Sequence, residues 1–429
     1  MPLQAAFAQV DITPPIGTKK IGWLREIVAD SVLDPLFARV AVIESGESRI
    51  AFVQLDTLCI RWTQTADIRR RVEQQYGFLG AGLMVSATHN HAGPAVASTG
   101  EVPRDDAYVE TMVSRVVTAV GEALASLQPA ELGLASSFEW EVGFNRRVVM
   151  RDGTVQTHGR FPDPDALFIE GPIDPEVAVL AARSKRGDLL GAIVNFACHP
   201  AHYGGDGALS AGFPGVLARE LRARGCPVAL YLNGACGNIS TSDPRRDGRG
   251  VSMEAAGRAL ADNAAAAISR MQFRDDVELH SRSRTLALPF RAATEEQVAG
   301  SVRGAQRFID SAIYDRGMPR LLQRIRERKT QPAEVQVLSL DEYAFAAIPA
   351  ECFVELGLRL KEQAHPRRAL VVSCANGMVG YVPHQEAFAR GGYETTFAAH
   401  SKLAPSAGGL LADAAVDLIR SVPLRPPTP

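Results

Sequence analysis

The chain has 429 residues, of which 46% are hydrophobic and 22% charged, and its 46 Lys and Arg against 48 Asp and Glu leave a formal net charge of -2. That is enough apolar material for one large domain or two to three ordinary ones, and a balanced charge without a long basic block argues against a nucleic-acid partner. No run approaches the roughly 18 apolar residues needed to cross a bilayer, and the start, MPLQAAFAQVDITPPIG, lacks the basic-then-apolar order of an export signal, so a cytoplasmic protein without a transmembrane segment is expected. Oligomeric state leaves no mark in the sequence.

Along the chain, RVAVIE (39–44) and RIAFVQLD (49–56), joined by SGES, predict a hairpin, and TADIRRRVEQQYG (65–77) predicts a helix closed by Gly77. Residues 105–127 carry Val109, Met112, Val113, Val116, Val117, Val120 and Leu124 at helical spacing, with Asp105 or Asp106 as N-cap. The turn-rich stretch 135–185 reads as an extended loop region over a surface or cleft. LLGAIVNFAC (189–198), a helix near 213–224, PVALYLNG (227–234) and a helix near 252–270 then restore β-α alternation. The polar, arginine-bearing residues 276–330 read as a helical insertion or subdomain, with PRLLQRIRER (319–328) as a solvated helix face. Beyond it, VQVLSLDEYAFAAIPAE predicts a hairpin turned at Asp341-Glu342, followed by a helix and ALVVSCANG (369–377). This divides the chain into an α/β part (1–275), the insertion (276–330), a second α/β part completing the same domain (331–422) and a fraying tail (423–429). The fold class is α/β, with mixed sheets and flanking helices. Six widely spaced cysteines (Cys59, Cys198, Cys226, Cys236, Cys352, Cys374), none in a C-x-x-C pair, suggest neither a disulfide framework nor a thiolate zinc site.

Five apolar, strand-like runs each end close to a chemically capable residue: LMVSAT before His89, IVNFAC before His199, ALYLNGACGNI before Ser240, FAAIPA before Glu351 and LVVSCANGMVG before Tyr381. Ligands bind at the carboxyl ends of strands in open α/β sheets, so these scattered residues are candidates for one cleft. His89 and His91 would face one side if their strand continues through them. Imidazole is the commonest zinc ligand, yet two polar residues hydrogen-bonded at a strand end fit the pair equally well. For Glu351 the competing role is to favour a helix N-terminus, and for Ser240 it is to cap a turn. Asp11 and Asp56 each follow an apolar stretch, and Asp56 is a candidate for orienting a ligating histidine, against a loop-capping role, while His158, His280, His365, His384 and His400 read as ordinary surface or loop positions.

The segment SATHNHAGPA resembles the THTHSGP type of segment in the neutral, alkaline-tolerant, non-lysosomal ceramidases, and other pieces follow in that family's order. VDITPPIG is similar to its N-terminal signature, FNRR (144–147) to its asparagine-arginine segment and NFACHP to its second histidine segment. GNIS resembles the nucleophile segment, IPAE the glutamate segment, and GYVPHQEAF with GGYETTF the tyrosine segments, over about residues 8 to 412. The resemblance implies a ceramidase-like zinc hydrolase domain. Its metal ligands would be His89, His199, Glu351 and Tyr381, with His91 as the acid/base beside the metal, Ser240 as nucleophile, and Arg146 and Tyr393 holding or polarising the scissile amide. Three departures are expected to matter: too few residues after about 412 for the family's additional C-terminal β-sandwich, no export signal, and Gly212 where many relatives carry an aspartate. The implied activity is hydrolysis of a linear amide, of the N-acyl amine type, on a small molecule carrying an acyl chain rather than on ceramide. A metal-dependent esterase or lactonase, and a non-catalytic metal-binding relative, are the alternatives.

Overall fold

Strands that are apolar on both faces need cover on both sides, and the runs at 37–55 and 335–348 are of this kind. The computed structural model describes residues 3–246 and 250–423, and in it that cover comes from two stacked sheets between two helical layers. The larger sheet has eight strands in the order Ala229–Asn233, Leu189–Phe196, Glu176–Ser184, Gln128–Phe138, Gln4–Asp11, Phe37–Ser45, Ser48–Leu55, Leu83–Ala87. The smaller has four, in the order Leu279–Pro289, Thr330–Leu340, Tyr343–Ile348, Arg368–Ser373. Ile43, Phe52, Leu180 and Ile193 of the first are buried against Leu338, Phe345 and Leu370 of the second, with Phe52 and Phe345 meeting edge-on at 4.9 Å.

Helices α1 (Trp62–Tyr76) and α2 (Asp106–Ala125) pack on the outer face of the large sheet's Gln4–Ala87 half. Helices α3 (Gly212–Ala223) and α4 (Met253–Ser269) cover the other half. The segment between the first two strands of the small sheet carries α5 (Glu295–Ala299) and α6 (Ser311–Arg328), while α7 (Val354–Gln363) and α8 (Ala407–Ser421) cover that sheet's outer face. Local signals account for the boundaries: α1 stops where Gly77 turns left-handed (φ 65°) and its N–H reaches the Glu73 carbonyl, and α2 starts where the Asp105 carboxylate accepts from the Tyr108 N–H. Among the described residues no helix is long and apolar enough to cross a membrane.

Two expectations about organisation are corrected. Residues 279–289 are not part of a helical insertion; all 11 pair with 330–340, so the insertion shrinks to about 290–329. This is an edge strand with one face partly in solvent, and its alternating arginines and serines gave it the look of a polar helix. Nor is 135–185 mainly loop. Glu176–Ser184 pairs along Gln128–Phe138, and a small sheet of Arg147–Met150, Val155–Thr157 and Ala166–Ile169 lies between them. Small residues in ELGLASSF blur the strand alternation there. The six cysteines are free and buried. The fraying expected of 423–429 falls on residues 424–429, outside the described residues.

Within the two stacked sheets three strand pairs are parallel: Ser48–Leu55 with Leu83–Ala87, Leu189–Phe196 with Ala229–Asn233, and Tyr343–Ile348 with Arg368–Ser373. Each pair ends in loops on the same edge of the stack, where the sequence motifs lie.

Candidate metal centre

His89 and His91 do not converge through strand alternation. The strand ends at Ala87, and His89 takes a left-handed conformation (φ 68°). Asn90 pins this turn: its side-chain amide donates to the Ser210 carbonyl (2.6 Å), its side-chain oxygen accepts from the Ala92 N–H (2.9 Å), and its own N–H reaches Thr57 O. The two imidazoles still meet, with 3.4 Å between their Nε2 atoms. His199 arrives from the end of Leu189–Phe196, and one ligand atom from each of His89, His91 and His199 lies within 4.8 Å of the others. Glu351 follows the strand Tyr343–Ile348 and its Oε2 sits 3.1 Å from His89 Nε2 and 3.2 Å from His199 Nε2.

The outward nitrogens are all spoken for by backbone carbonyls. His89 Nδ1 lies 2.8 Å from Leu58 O, His91 Nδ1 3.0 Å from Gly22 O and His199 Nδ1 2.6 Å from Cys236 O. A carbonyl can only accept, so each Nδ1 carries a proton, and each ring in its neutral form turns an Nε2 lone pair inward. Burial, reinforced by the charges of His89 and His199, pushes the His91 pKa well down. Burial alone would raise Glu351, yet His89 and His199 hold its carboxyl well below the usual range. Imidazole nitrogens and one carboxylate oxygen converging on one point form a donor set that suits zinc.

Tyr381 comes beside this cluster because Tyr381–Val382 bridges in parallel with Glu351–Cys352. Its ring stacks near His199 at 6.4 Å, and its hydroxyl accepts from Arg146 Nη2 at 3.2 Å. Arg146 is itself clamped: Nε donates to Glu394 Oε1 (2.8 Å) and Nη2 to Gly237 O (2.8 Å). Glu394 also accepts from Arg147 (2.8 Å) and Thr157 (2.7 Å). Burial works against its ionisation, but Arg146 and Arg147 bring its pKa down to about 2.

Ser240 is buried next to Ile239, whose carbonyl also faces His199 Nδ1 at 3.1 Å. Among the described residues its Oγ makes one hydrogen bond, accepted from Ser242 N at 3.3 Å, and no histidine touches it. Tyr393 stands edge-on to Tyr381 at 5.8 Å. Gly212 is left-handed (φ 66°), and a Cβ there would meet Pro200, the residue after His199, at 3.7 Å.

Asp56 does not orient a histidine. Its carboxylate is taken by Arg39 (2.8 Å), Gln54 (2.8 Å) and the Phe37 N–H (2.9 Å), which makes it a tie across the large sheet. Asp11 caps its own turn by accepting from the Thr13 N–H. His400, read from sequence as an ordinary loop residue, is instead part of the site wall. Its ring stacks on Tyr393 at 4.4 Å and stands edge-on to Tyr381 at 5.8 Å, and its carbonyl accepts from the Tyr381 N–H. Phe308, from the segment before α6, packs on the same Tyr393 at 4.7 Å. No local spacing marks either residue, since each reaches the wall through tertiary packing.

Comparison with known proteins agrees with this architecture. Residues 7–211 match the family described as neutral/alkaline non-lysosomal ceramidase, N-terminal. The neutral ceramidase of Pseudomonas aeruginosa is 27% identical over 173 residues, which is 38% of this chain and 24% of that protein. Neutral ceramidase B of Dictyostelium discoideum is 22% identical over 169 residues, 37% of this chain and 22% of that one. The matches thus span about a quarter of these curated relatives. In fold, the crystal structure of the Pseudomonas aeruginosa neutral ceramidase superposes with a TM-score of 0.74 at 20% identity, covering 99% of this chain and 76% of that one. Residues 7–211 thus resemble the N-terminal part of the neutral/alkaline non-lysosomal ceramidases, and the fold of the Pseudomonas aeruginosa enzyme is shared along nearly the whole chain.

Proposed function

We propose that the protein is a zinc-dependent hydrolase of a linear amide, of the N-acyl amine type. The observation that carries the reading is the convergence of three Nε2 lone pairs and the Glu351 carboxylate, with every Nδ1 committed to a carbonyl. His89, His199, Glu351 and Tyr381 would hold the ion. Glu351 touches His89 and His199 but makes no such contact with His91, which supports setting His91 apart as the proton-handling neighbour. A zinc ion bound there supplies a Lewis acid for the amide carbonyl and lowers the pKa of an adjacent water or hydroxyl.

The chain's own residues provide the rest. His91 is half-buried with its Nε2 turned into the cluster, so it takes the proton released by the attacking hydroxyl and returns it to the departing amine. Arg146, fixed by Glu394 and Gly237, sets a permanent positive charge beside Tyr381, where charge builds on the carbonyl oxygen. Tyr393 closes the same side. Ser240 has no base in hydrogen-bond contact, so as nucleophile it would depend on the ion rather than on a serine-histidine pair.

Metal analysis of protein purified without chelators should return about one zinc per chain, and the protein should cleave members of an N-acyl amine panel. Chelation should abolish that activity and zinc should restore it. Absence of zinc together with full activity of His89→Ala would refute the reading. Bound zinc without turnover of matched amides and esters would mark a non-catalytic relative.

A further inference from the structure

Helix α6 places Arg320, Arg324 and Arg328 at four-residue spacing, hence on one face. The fold sets that face near Arg61, which precedes α1, on the edge of the stack that carries the metal cluster. Arg61 follows Leu58, whose carbonyl fixes His89, by three residues, and its Nη1 donates to Met378 O (3.3 Å) in the loop leading to Tyr381. Lys402 is buried beneath, its ammonium donating to the carbonyls of Val379 and Ala399. Arg61 and Arg324 are half-buried, and among the described residues neither they nor Arg320, Arg328 and Lys402 form an ion pair with a carboxylate. On α6 itself Glu327 lies three residues from Arg324 and accepts from the Gln323 side-chain amide (2.8 Å). Burial, then the positive charges of Arg61 and Arg324, push Lys402 down to about 7. Like charges gathered at partly buried positions repel one another, so the arrangement is one that an anion would relieve.

We propose that Arg61 and Arg324, flanked by Arg320 and Arg328 and backed by Lys402, bind an anionic group, a carboxylate or phosphate, on the substrate of the neighbouring metal centre. This rests on the amide-hydrolase reading and narrows it to amides that carry a negative charge, such as an N-acyl amino acid. Guanidinium forks match the planar carboxylate and the phosphate oxygens, and a neutral ceramide-like amide would leave them unpaired.

Two measurements test the site separately from the activity. In the first, inorganic phosphate should raise the thermal midpoint of the wild-type protein saturably, and the pair Arg61→Met/Arg324→Met should lose that response. The exposed pair Arg320→Gln/Arg328→Gln, at surface positions, keeps the test decisive if the first pair fails to fold, and it should weaken the response. An undiminished response in a folded variant would overturn the proposal. In the second, N-dodecanoylglycine should exceed N-dodecanoylethanolamine in kcat/KM by about 10-fold or more, and the ratio should fall toward one in the variants. An equal ratio in wild type and variants would overturn the assignment to substrate. So would arginine-dependent binding to phosphatidylglycerol vesicles, but not phosphatidylcholine vesicles, without preference for the anionic amide, since it would move the anion to a lipid headgroup. If neither amide is cleaved but phosphate binding is lost in the variants, the anion site stands and the amide reading fails.

Discussion

At the scale of single residues, the two histidines of the H-x-H pair are distinguished by Glu351, which contacts His89 and not His91. His89→Ala should therefore lose zinc, whereas His91→Ala should retain it, by metal analysis, while kcat falls by about 100-fold or more. Equal metal loss in both would mean that His91 is a ligand. Glu394 offers a second residue-level test, because it is fully buried between Arg146 and Arg147 and its pKa is about 2. A carboxyl depressed on folding adds stability that is complete above its ordinary pKa and is lost as pH falls from about 4.5 toward 2. Acid unfolding of the wild type should be steep in that window, and Glu394→Gln should flatten it. The same substitution should lower stability at neutral pH by about 3 kcal/mol or more, since two buried guanidinium groups lose their counter-charge. The candidate ligands were legible as residues following apolar runs. Ring tautomers were not, because they depend on carbonyls from Leu58, Gly22 and Cys236, each remote in sequence from the histidine it fixes.

At the scale of elements, the segment between the first two strands of the small sheet reaches the site wall. Phe308 packs on Tyr393, which stacks in turn on His400. His400→Ala should raise KM and lower kcat together while leaving zinc content unchanged, and His400→Phe, which keeps a flat ring against Tyr393, should recover much of the loss. Failure of His400→Phe to recover any activity would mean that the ring's nitrogen, 3.3 Å from Tyr393 O, matters more than its stacking. Helix signals such as Asp105 and Gly77 acted locally and were readable. The strand 279–289 was not, since an edge strand with polar residues shows its period only when its partner, 330–340, is beside it.

For the molecule as a whole, the contact between the two sheets holds the site together, since His89 and His199 hang from the large sheet and Glu351 and Tyr381 follow strands of the small one. Phe345→Ala, at the centre of that contact, should cost about 3 to 5 kcal/mol in chemical unfolding and should weaken zinc retention as the sheets separate. Unchanged zinc affinity in a clearly destabilised variant would show that the centre does not depend on sheet stacking. Apolar runs, caps and ordered motifs are short-range properties, so the sequence by itself determined the α/β class, the main helices, and which side chains end the strands. Which of those ends meet was decided only by the parallel pairing and by two sheets stacking face to face. The distances that make three histidines and a carboxylate one site, and that bring Arg61 near the arginines of α6, exist only after distant segments have packed.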